Sequence, residues 1–581
     1  MAYELRDRKQ KQVLYIDDTS SSSDDSDHGG ESDTDYVKRR PQRNLISSTN
    51  NDVVREIVLV AKIAGYSPMK RKPGRPPKAK ASASNSVCAL SQIQGPLVTK
   101  KRSQKRRAAV ASSSSSYSGL EKGYVVEDGM EKNTILAMLI DMKEIKDNEE
   151  VHYLDMDLKK INSGKVTRAG IHCGCCEKMV TVGKFEEHSY KNSSSCNKSG
   201  ILGKPYQNIV LERSGHSLLQ YQVSVWYTRL ERGDMDVVNN VVPKNNDGDK
   251  NDDACMVCAD GGDLICCEKC PSTFHPSCLE MEGVPFGEWS CPYCVCKYCG
   301  IPTGEDLGID FSKCMLCDKT YHWACYEQKE LNLNNNTSPQ FCGDGCYNVY
   351  EKLQRIVGVK NEMEEGLSWT LIRHADLMSF DIKDIEFFYE FMECNAKIAI
   401  AWSLLDQSFE NIIDRYTGIN LLRSVVYNAR SNLSRINFRN FYTAILEKDD
   451  NIIVVASIRI HGKKMAEIPF VTTAKDYRGR GMMRKLMVAI ESTLCDLEVE
   501  NVVIPSSSGV EKMWINNFYY SKKIDKSLEK HIVLSNMLMF PYAIRLHKPL
   551  LPNTSHLQES SNSKRAALLD LNYEPPQEDE E

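Results

Sequence analysis

Residues 466–487 read AEIPFVTTAKDYRGRGMMRKLM and combine three features that bear on the fold. An apolar, β-rich run with a carboxylate at Glu467 predicts a strand. The basic turn RGRG follows, and Met482, Leu486 and Ile490 then recur at helical intervals, which predicts an amphipathic helix. Backbone N–H groups at such a helix start attract a phosphate group. An ordinary strand–turn–helix with a solvated basic face is the alternative.

The neighbouring segments predict a mixed α/β domain over residues 360–548. Its predicted elements are strands at Phe441–Leu446, Ile452–Ile460, Glu467–Thr472 and 501–505, a helix within 509–520, and closing strands within 531–546.

This order of elements resembles the GNAT acetyltransferase fold. The turn is similar to the family's Gln/Arg-x-x-Gly-x-Gly/Ala motif, except that Met483 replaces a small residue. The resemblance implies that the turn binds the diphosphate of acetyl-CoA, with Gly481 allowing close approach and the arginines adding charge. The implied cofactor-binding residues are Phe470, Val471, Arg478, Gly479, Arg480, Gly481, Met482 and Met483.

Glu467 is the predicted catalytic residue. AEIPF is similar to the AEIVF strand of nuclear histone acetyltransferases, whose glutamate is the general base. The resemblance implies that Glu467 takes the proton from a lysine ammonium, and we expect a partly buried carboxyl with a raised pKa. A GNAT fold that persists as an inert scaffold is the alternative.

Cysteines are concentrated in one block: 15 of the 22 lie within residues 255–346. Their spacing resembles two consecutive PHD fingers, at 252–295 and 296–350, with four zinc ions expected. In that family the first and third ligand pairs share one metal, and the second and fourth share the other. The predicted ligands are Cys255, Cys258, Cys267, Cys270, His275, Cys278, Cys291, Cys294, Cys296, Cys299, Cys314, Cys317, His322, Cys325, Cys342 and Cys346.

The first finger has no aromatic residue between Cys255 and Cys267 that could form a cage for a methylated lysine. It is rich in aspartate instead, which suits an unmodified ammonium group. The finger thus resembles readers of the histone H-three tail unmethylated at its fourth residue, and the tail is expected to add as a strand beside Gly262–Cys266. Solvated loop aspartates are the alternative. The predicted histone-binding residues are Asp252, Asp253, Asp260, Asp263, Leu264 and Ile265.

Residues 1–120 are predicted to be a disordered acidic and basic arm. Residues 37–110 hold 18 basic residues against two acidic ones, which suggests a polyanionic partner. The segment KRKPGRPPK resembles an AT-hook, in which Arg75 would enter the minor groove of AT-rich DNA. Lys100–Arg107 resembles a nuclear import signal. A solvated linker is the alternative for both.

Two further segments have weaker signals. Residues 121–245 are predicted to form one or more small interaction modules of uncertain fold, in which Cys173, Cys176, His188 and Cys196 could hold one zinc ion. A small module without metal is the default interpretation. Residues 549–581 are predicted to be a disordered tail. Its Asp570, Leu571, Asn572 and Pro575 resemble the EAR repression motif of plants and could bind a corepressor.

The charged amino-terminal segment and the lack of a long apolar run indicate a soluble, intracellular protein without a membrane partner. The complete pattern is multidomain: a disordered basic arm, zinc-stabilised tandem PHD fingers and a C-terminal α/β GNAT fold. It resembles the plant PHD-finger histone acetyltransferases of the Increased DNA Methylation (repressor of silencing) group. That resemblance implies a nuclear enzyme that acetylates histone lysines, favours DNA demethylation and opposes silencing. A non-catalytic chromatin adaptor is the alternative.

Overall fold

The computed structural model describes residues 6–7, 132–155, 158–191, 203–231, 241, 250–304, 310–329, 340–375, 385–409, 412–540 and 543–550. The predicted DNA contact at Arg75, the import segment Lys100–Arg107 and the tail motif at Asp570–Pro575 lie outside these residues. Within the described part of the chain, no helix has both the length and the apolar character needed to span a bilayer.

The segment that precedes the cysteine block forms a small α/β module. The strands are β2 (Glu150–Leu154), β3 (Lys160–Thr167), β4 (Gly170–Cys173), β5 (Met179–Val180) and β6 (Ile209–Leu211). They form an antiparallel sheet in the order β5-β4-β3-β2-β6, and Tyr153 of the sheet and Phe185 of a helix are completely buried in the module's core. The helices are α1 (Ile135–Asp141), α2 (Val182–Lys191), α3 (Pro205–Asn208) and α4 (Leu218–Glu231).

The cysteine block contains two small zinc-finger-like units with short strands. In the first, β7 (Asp263–Cys266) pairs with β8 (Thr273–Phe274) on one side and with the distant β1 (Arg6–Asp7) on the other. In the second, β9 (Phe311–Lys313) pairs with β10 (Thr320–His322), and the helices α5 (Trp323–Lys329) and α6 (Asp344–Ile356) follow. The apolar core of the first unit is small, so metal ligation has to supply much of its stability.

The C-terminal domain is built on an eight-stranded sheet with the order β11-β12-β13-β14-β15-β17-β18, to which β16 adds by pairing with β14. Its strands are β11 (Lys360–Glu362), β12 (Leu367–Ile372), β13 (Phe441–Lys448), β14 (Asn451–Ile460), β15 (Ala466–Glu467), β16 (Val471–Thr473), β17 (Asn501–Ser506) and β18 (Ile544–Pro549). Its helices are α7 (Ile385–Ser408), α8 (Leu421–Val426), α9 (Met482–Asp496), α10 (Glu511–Phe518) and α11 (Lys526–Val533).

All strand pairs of this sheet are antiparallel except β15 with β17, which are parallel and are connected by α9. The predicted multidomain fold class, with a C-terminal GNAT domain after the fingers, is confirmed by this arrangement. Side chains alternate across the sheet: Phe441 and Ile445 face the core shared with α7 and the N-terminal module. Tyr442 and Leu446 face the core shared with α9 and the second finger. The N-terminal module and the second finger therefore share cores with the GNAT domain.

The prediction of closing strands within 531–546 is wrong in its first part. Residues up to Val533 complete α11, and the closing strand β18 begins only at Ile544. The Asp525 side chain caps α11 by accepting hydrogen bonds from the backbone N–H groups of Ser527 and Leu528. Leu528 and Ile532, four residues apart, bury the same face of the helix. The cap and this spacing outweigh the β-branched composition that predicted a strand.

Candidate functional site

The predicted zinc ligands assemble into four separate clusters, each with four donor atoms within 4.8 Å of one another. In both fingers the first and third ligand pairs come together, and so do the second and fourth, as the resemblance implies. The clusters are Cys255, Cys258, His275 and Cys278; Cys267, Cys270, Cys291 and Cys294; Cys296, Cys299, His322 and Cys325; and Cys314, Cys317, Cys342 and Cys346.

The donor geometry of these clusters fits zinc. The Cys258 Sγ to His275 Nδ1 distance is 3.3 Å, and the Cys317 Sγ to Cys342 Sγ distance is 3.4 Å. Tetrahedral zinc with ligands at about 2.0–2.3 Å requires donor separations close to these values. Backbone N–H groups also point at sulfur atoms, for example from His322 to Cys296, which is typical of thiolates that bind a metal. Cys266 lies outside the four clusters.

The structure divides the predicted histone-binding residues of the first finger. Leu264 and Ile265 are completely buried in the finger core, so only their backbone is offered at the strand edge. Asp263 is exposed on β7, and Asp260 is about half exposed. The β7 edge beside which a tail was expected to add is paired with β1 through Arg6.

Asp252 does not serve the predicted histone contact, because it is buried in an ion pair with the GNAT domain. The Arg435 guanidinium donates to both Asp252 oxygens, at 2.8 and 3.0 Å, and also to Asp414. Burial raises the pKa of Asp252 despite this cation. For Asp414, hydrogen bonds from Arg435 and Thr417 outweigh burial and lower its pKa. Asp253, its neighbour, is also buried.

A second, exposed contact between the first finger and the GNAT domain lies nearby. Arg415 forms an ion pair with Asp260, and the Tyr416 hydroxyl lies against Gly261. A side chain at Gly261 would place its Cβ 2.5 Å from that hydroxyl oxygen, so the Tyr416 side chain would have to shift. The first finger is thereby fixed beside the GNAT domain.

A cavity of about 1070 Å³ opens in the GNAT domain next to this finger. One side is formed by residues 468–473 and the other by residues 504–508, while Met256 and Ala259 of the first finger contribute to the wall. The cavity exists because β15 pairs with β17 only through Ala466 and Glu467. Beyond Ile468, whose N–H still reaches Val503 O, the chain continues as β16 along β14 and leaves β17 behind.

The predicted strand Glu467–Thr472 is therefore interrupted. Residues 468–470 leave the regular ladder between β15 and β16, although Phe470 O still accepts from the Ser457 N–H. This break turns Phe470 and Val471 toward the cavity lining. Seven of the eight predicted cofactor-binding residues line the cavity; Arg480 does not.

The glycine turn has the geometry expected of an anion site. Gly479 and Gly481 both have φ of +71°, in the left-handed region that glycine adopts without strain. Gly481 is the N-cap of α9, and no side chain caps this helix start. The first N–H groups of α9 therefore lack a side-chain cap, and Gly481, Met482 and Met483 line the cavity. Arg478 and Arg480 are exposed in the same turn. Arg478 Nε also donates to Thr473 O at 3.0 Å.

Glu467 is not exposed to the cavity, and the expectation of a partly buried carboxyl is wrong. The side chain is completely buried. Its Oε1 accepts from Arg459 Nε and, at 2.9 Å, from His461 Nε2, and its Oε2 accepts from the Leu538 N–H at 2.9 Å. The adjacent Ile468 lines the cavity, but Glu467 lies behind it.

The expected raised pKa of Glu467 is also wrong. Burial alone would raise it, but the Arg459 charge and the N–H donors of His461 and Leu538 hold the pKa of this carboxyl below its ordinary value. Burial lowers the pKa of His461, so its ring is neutral and donates through Nε2. Glu467 is thus a weak base at the centre of a closed network.

Sequence reasoning missed the arginines that engage the two carboxylates. Arg459 interrupts the apolar run of β14, and a charged residue inside a buried strand is a signal of a buried partner. Arg435 lies in the short 3-10 helix Ser434–Ile436, where no such pattern is present. Only the fold brings it to Asp252, which is far away in the sequence.

Three segments of the chain match known protein families. Residues 409–549 match the family described as "Increased DNA methylation 1, C-terminal domain", residues 164–225 match the "Tify domain binding domain", and residues 255–294 match the "PHD-finger".

Similar proteins share parts of this organisation. Increased DNA methylation 1 from Arabidopsis thaliana is 35% identical over 428 residues, which cover 72% of this chain and 34% of that protein. The chain thus spans about a third of the length of this relative. The human Autoimmune regulator is 50% identical over 48 residues, 8% of this chain and 9% of that protein.

Solved acetyltransferases align with low scores. Tetrahymena GCN5 has a TM-score of 0.22 at 13% identity and covers 28% of this chain and 92% of its own. A putative N-acetyltransferase from Lactobacillus plantarum has a TM-score of 0.20 at 14% identity and covers 32% and 100%. The fold assignment therefore rests on the strand order and the splayed parallel pair. Taken with the family matches, these features make the chain similar to Increased DNA methylation 1 in its PHD finger and in its C-terminal domain.

Proposed function

We propose that the chain is a nuclear acetyl-CoA-dependent histone lysine N-acetyltransferase directed by its first PHD finger. The observation that carries the proposal is the cavity between β16 and β17, with the uncapped start of α9 at its mouth. An acyl-CoA needs a slot for its pantetheine arm and an anion site for its diphosphate. The splayed strands offer the slot, and the amides at Gly481–Met483 offer the anion site.

The proposed cofactor contacts are Phe470 and Val471 for the pantetheine arm and residues 478–483 for the diphosphate. Val471 is only half-buried and lines the cavity, where the pantetheine arm would lie. Met483 is also half-buried and packs against the core that α9 shares with the sheet. Part of the Met483 side chain therefore packs against the core, and we propose that its size leaves room for the diphosphate at the glycine turn.

Acetyl-CoA, when bound, supplies an activated acyl group. The chain has to supply a proton acceptor for the lysine ammonium, and we propose Glu467 for that role. Leu538 lines the cavity, and its N–H holds Glu467 Oε2. Displacement of Leu538 would open that oxygen to the cavity and remove one of the donors that lower the pKa of Glu467.

The first finger is proposed to read the histone H-three tail unmethylated at its fourth residue. Asp260 and Asp263 are the exposed acidic groups near the β7 edge, and the β1 pairing supports the capacity of this edge for strand addition. The tail has to displace β1, so proline at Arg6 and Asp7 should tighten peptide binding. Unchanged affinity in this double variant, measured by calorimetry, would contradict strand addition at that edge.

We propose that the fingers bind four zinc ions, one in each of the four ligand clusters described above. Three proposals for other parts of the chain rest on sequence resemblance. Arg75 is proposed to contact AT-rich DNA, and the motif from Asp570 to Pro575 is proposed to bind a corepressor. Regulation of silencing and DNA demethylation is proposed from the similarity to Increased DNA methylation 1.

A non-catalytic chromatin adaptor is the second candidate, and one observation favours it. All three hydrogen-bond donors around Glu467 come from the chain itself, and they leave the carboxylate away from the cavity. If Leu538 never moves, the cavity can hold acyl-CoA without any transfer.

The deciding experiment measures binding and transfer together on the full chain. Acetyl-CoA binding is followed by calorimetry, and acetyl incorporation into a histone H-three tail peptide by mass spectrometry. The transferase proposal expects both signals, and both should fall in the Arg478→Glu, Arg480→Glu variant. The exposed Arg355→Glu variant, on α6, is the control. Binding without incorporation would favour the adaptor, and absence of binding would overturn the transferase.

A further inference from the structure

The N-terminal module contains a fifth cluster of metal-ligating side chains outside the two fingers. Cys173, Cys175, Cys176 and His188 place three sulfur atoms and one ring nitrogen within 4.8 Å of one another. The Cys173 Sγ to Cys175 Sγ distance is 3.1 Å, and the Cys175 Sγ to His188 Nδ1 distance is 3.5 Å. The corresponding Cys299 Sγ to His322 Nδ1 distance in the second finger is also 3.5 Å.

The cluster is held by regular structure on both sides. Cys173 ends β4, and the chain then turns back, so that the Cys173 N–H reaches Lys178 O at 3.0 Å. Gly174 lies so close to β3 that an added Cβ would meet Ser163 O at 2.8 Å, so the tight turn requires glycine. His188 is carried by α2, which Phe185 anchors in the core.

We propose that this cluster is a structural zinc site with three cysteine ligands and one histidine. Three thiols and an imidazole form the donor set that zinc accepts in a closed tetrahedral site. Only Cys173 of the three cysteines is buried, so burial in the core does not explain why all three thiols converge on an imidazole nitrogen, whereas a shared metal ion does. Asn162 Nδ2 also donates to Cys173 Sγ at 3.4 Å, a contact that supports a metal-bound thiolate.

This ligand set differs from the one that the sequence suggested. Cys175 replaces Cys196, which lies outside the described residues. The metal would connect the end of β4 to α2 in a module whose apolar core is shared with the GNAT domain. Loss of the metal should loosen α2 while the finger sites keep theirs, because no finger ligand belongs to this cluster.

The proposal is tested by measuring the number of zinc ions per purified full chain by elemental analysis. The proposed site accounts for a difference of one ion between the unaltered chain and a variant that lacks a ligand. The Cys175→Ser variant should hold one zinc fewer than the unaltered chain. Cys495→Ser, a substitution on α9 outside every cluster, should hold the same number. Cys175→His retains a ligand atom and should restore the fifth ion if the module folds.

Other outcomes of the zinc measurement would contradict the proposal in different ways. Equal zinc in the unaltered chain and in Cys175→Ser would overturn the site. A loss of one ion in Cys196→Ser, with none in Cys175→Ser, would replace Cys175 by Cys196 and overturn this ligand set. If Cys175→Ser loses several ions, Cys175→His decides: recovery supports ligation by residue 175, and no recovery contradicts it.

Discussion

The consecutive strands β15 and β16 both pair with β14, but the residues they carry differ in accessibility although only a few residues separate them. At the β16 end, Val471 and the glycine turn line an open cavity. At the β15 end, Glu467 is buried and bound by Arg459, His461 and Leu538. The end proposed to hold the cofactor is ready for a ligand, whereas the end proposed to carry the chemistry is closed.

The difference shows that the two properties have separate physical origins. The cofactor end is made of backbone: a break in pairing, two left-handed glycines and a helix start. At the β15 end, the accessibility and the pKa of Glu467 depend on the side chains that surround its carboxylate. A GNAT fold can therefore retain its acyl-CoA slot independently of whether its acid is available. The predictions below separate the two ends experimentally.

Loss of Arg435 should have the largest effect, because it leaves both Asp252 and Asp414 buried without their cation. We expect Arg435→Met to destabilise the chain by about 5 kcal/mol, the upper range for breaking a buried ion pair. Arg415→Met is the matched control, since its pair with Asp260 is exposed and should contribute less than about 1 kcal/mol. Thermal unfolding followed by circular dichroism measures both. Equal effects would mean that the first finger is not fixed through Arg435.

Glu467→Gln should destabilise the chain somewhat less, by about 3 kcal/mol, because Arg459 loses its charge partner in the core. At a temperature where the variant is folded, acetyl-CoA affinity should be unchanged, since Glu467 does not line the cavity. Glu365→Gln, which removes an exposed partner of Lys485, is the control and should be nearly neutral. A large loss of affinity in Glu467→Gln would show that the two ends are coupled.

Charge reversal at the cofactor end should act in the opposite way. Arg478→Glu with Arg480→Glu should weaken acetyl-CoA binding by about 10- to 100-fold, because two cations near the diphosphate become anions. Stability should hardly change, since both side chains are exposed. Calorimetry and thermal unfolding of the same sample give both quantities. A stable variant with unaltered affinity would remove the diphosphate from this turn.

Met483→Ala should have the smallest effect. This substitution restores the small residue of the family motif, but the methionine side chain packs partly into the core beside α9. We expect acetyl-CoA affinity to change by less than about threefold. A tenfold gain, measured in the same titration, would show that Met483 obstructs the diphosphate site.

The sequence predicted those features that local spacing determines. The cysteine intervals, through their resemblance to PHD fingers, predicted the four finger clusters, and the RGRG turn predicted a helix start. Asp252 and Glu467 were misjudged because their environments depend on arginines that the fold brings to them. For Asp252 the partner is distant in the chain. For Glu467 the partner is on the adjacent strand, where register places Arg459 directly opposite.

The closing strands were misjudged for a different reason. His531, Ile532 and Val533 suit a strand by composition, but Asp525 starts a helix whose buried face they complete. In the N-terminal module, spacing pointed to a metal site, yet Cys175 rather than Cys196 meets His188 among the described residues. Spacing alone does not show which of several nearby cysteines a turn brings to the histidine.

The most direct test of the central claim is a titration of the full chain with acetyl-CoA, followed by calorimetry, with Arg355→Glu and the Arg478→Glu, Arg480→Glu variant alongside. The open cofactor end predicts one molecule bound per chain, unchanged affinity in the control and a loss of about tenfold or more in the double variant. Absence of binding by the folded, zinc-loaded chain would contradict the claim that the splayed strands form an acyl-CoA site.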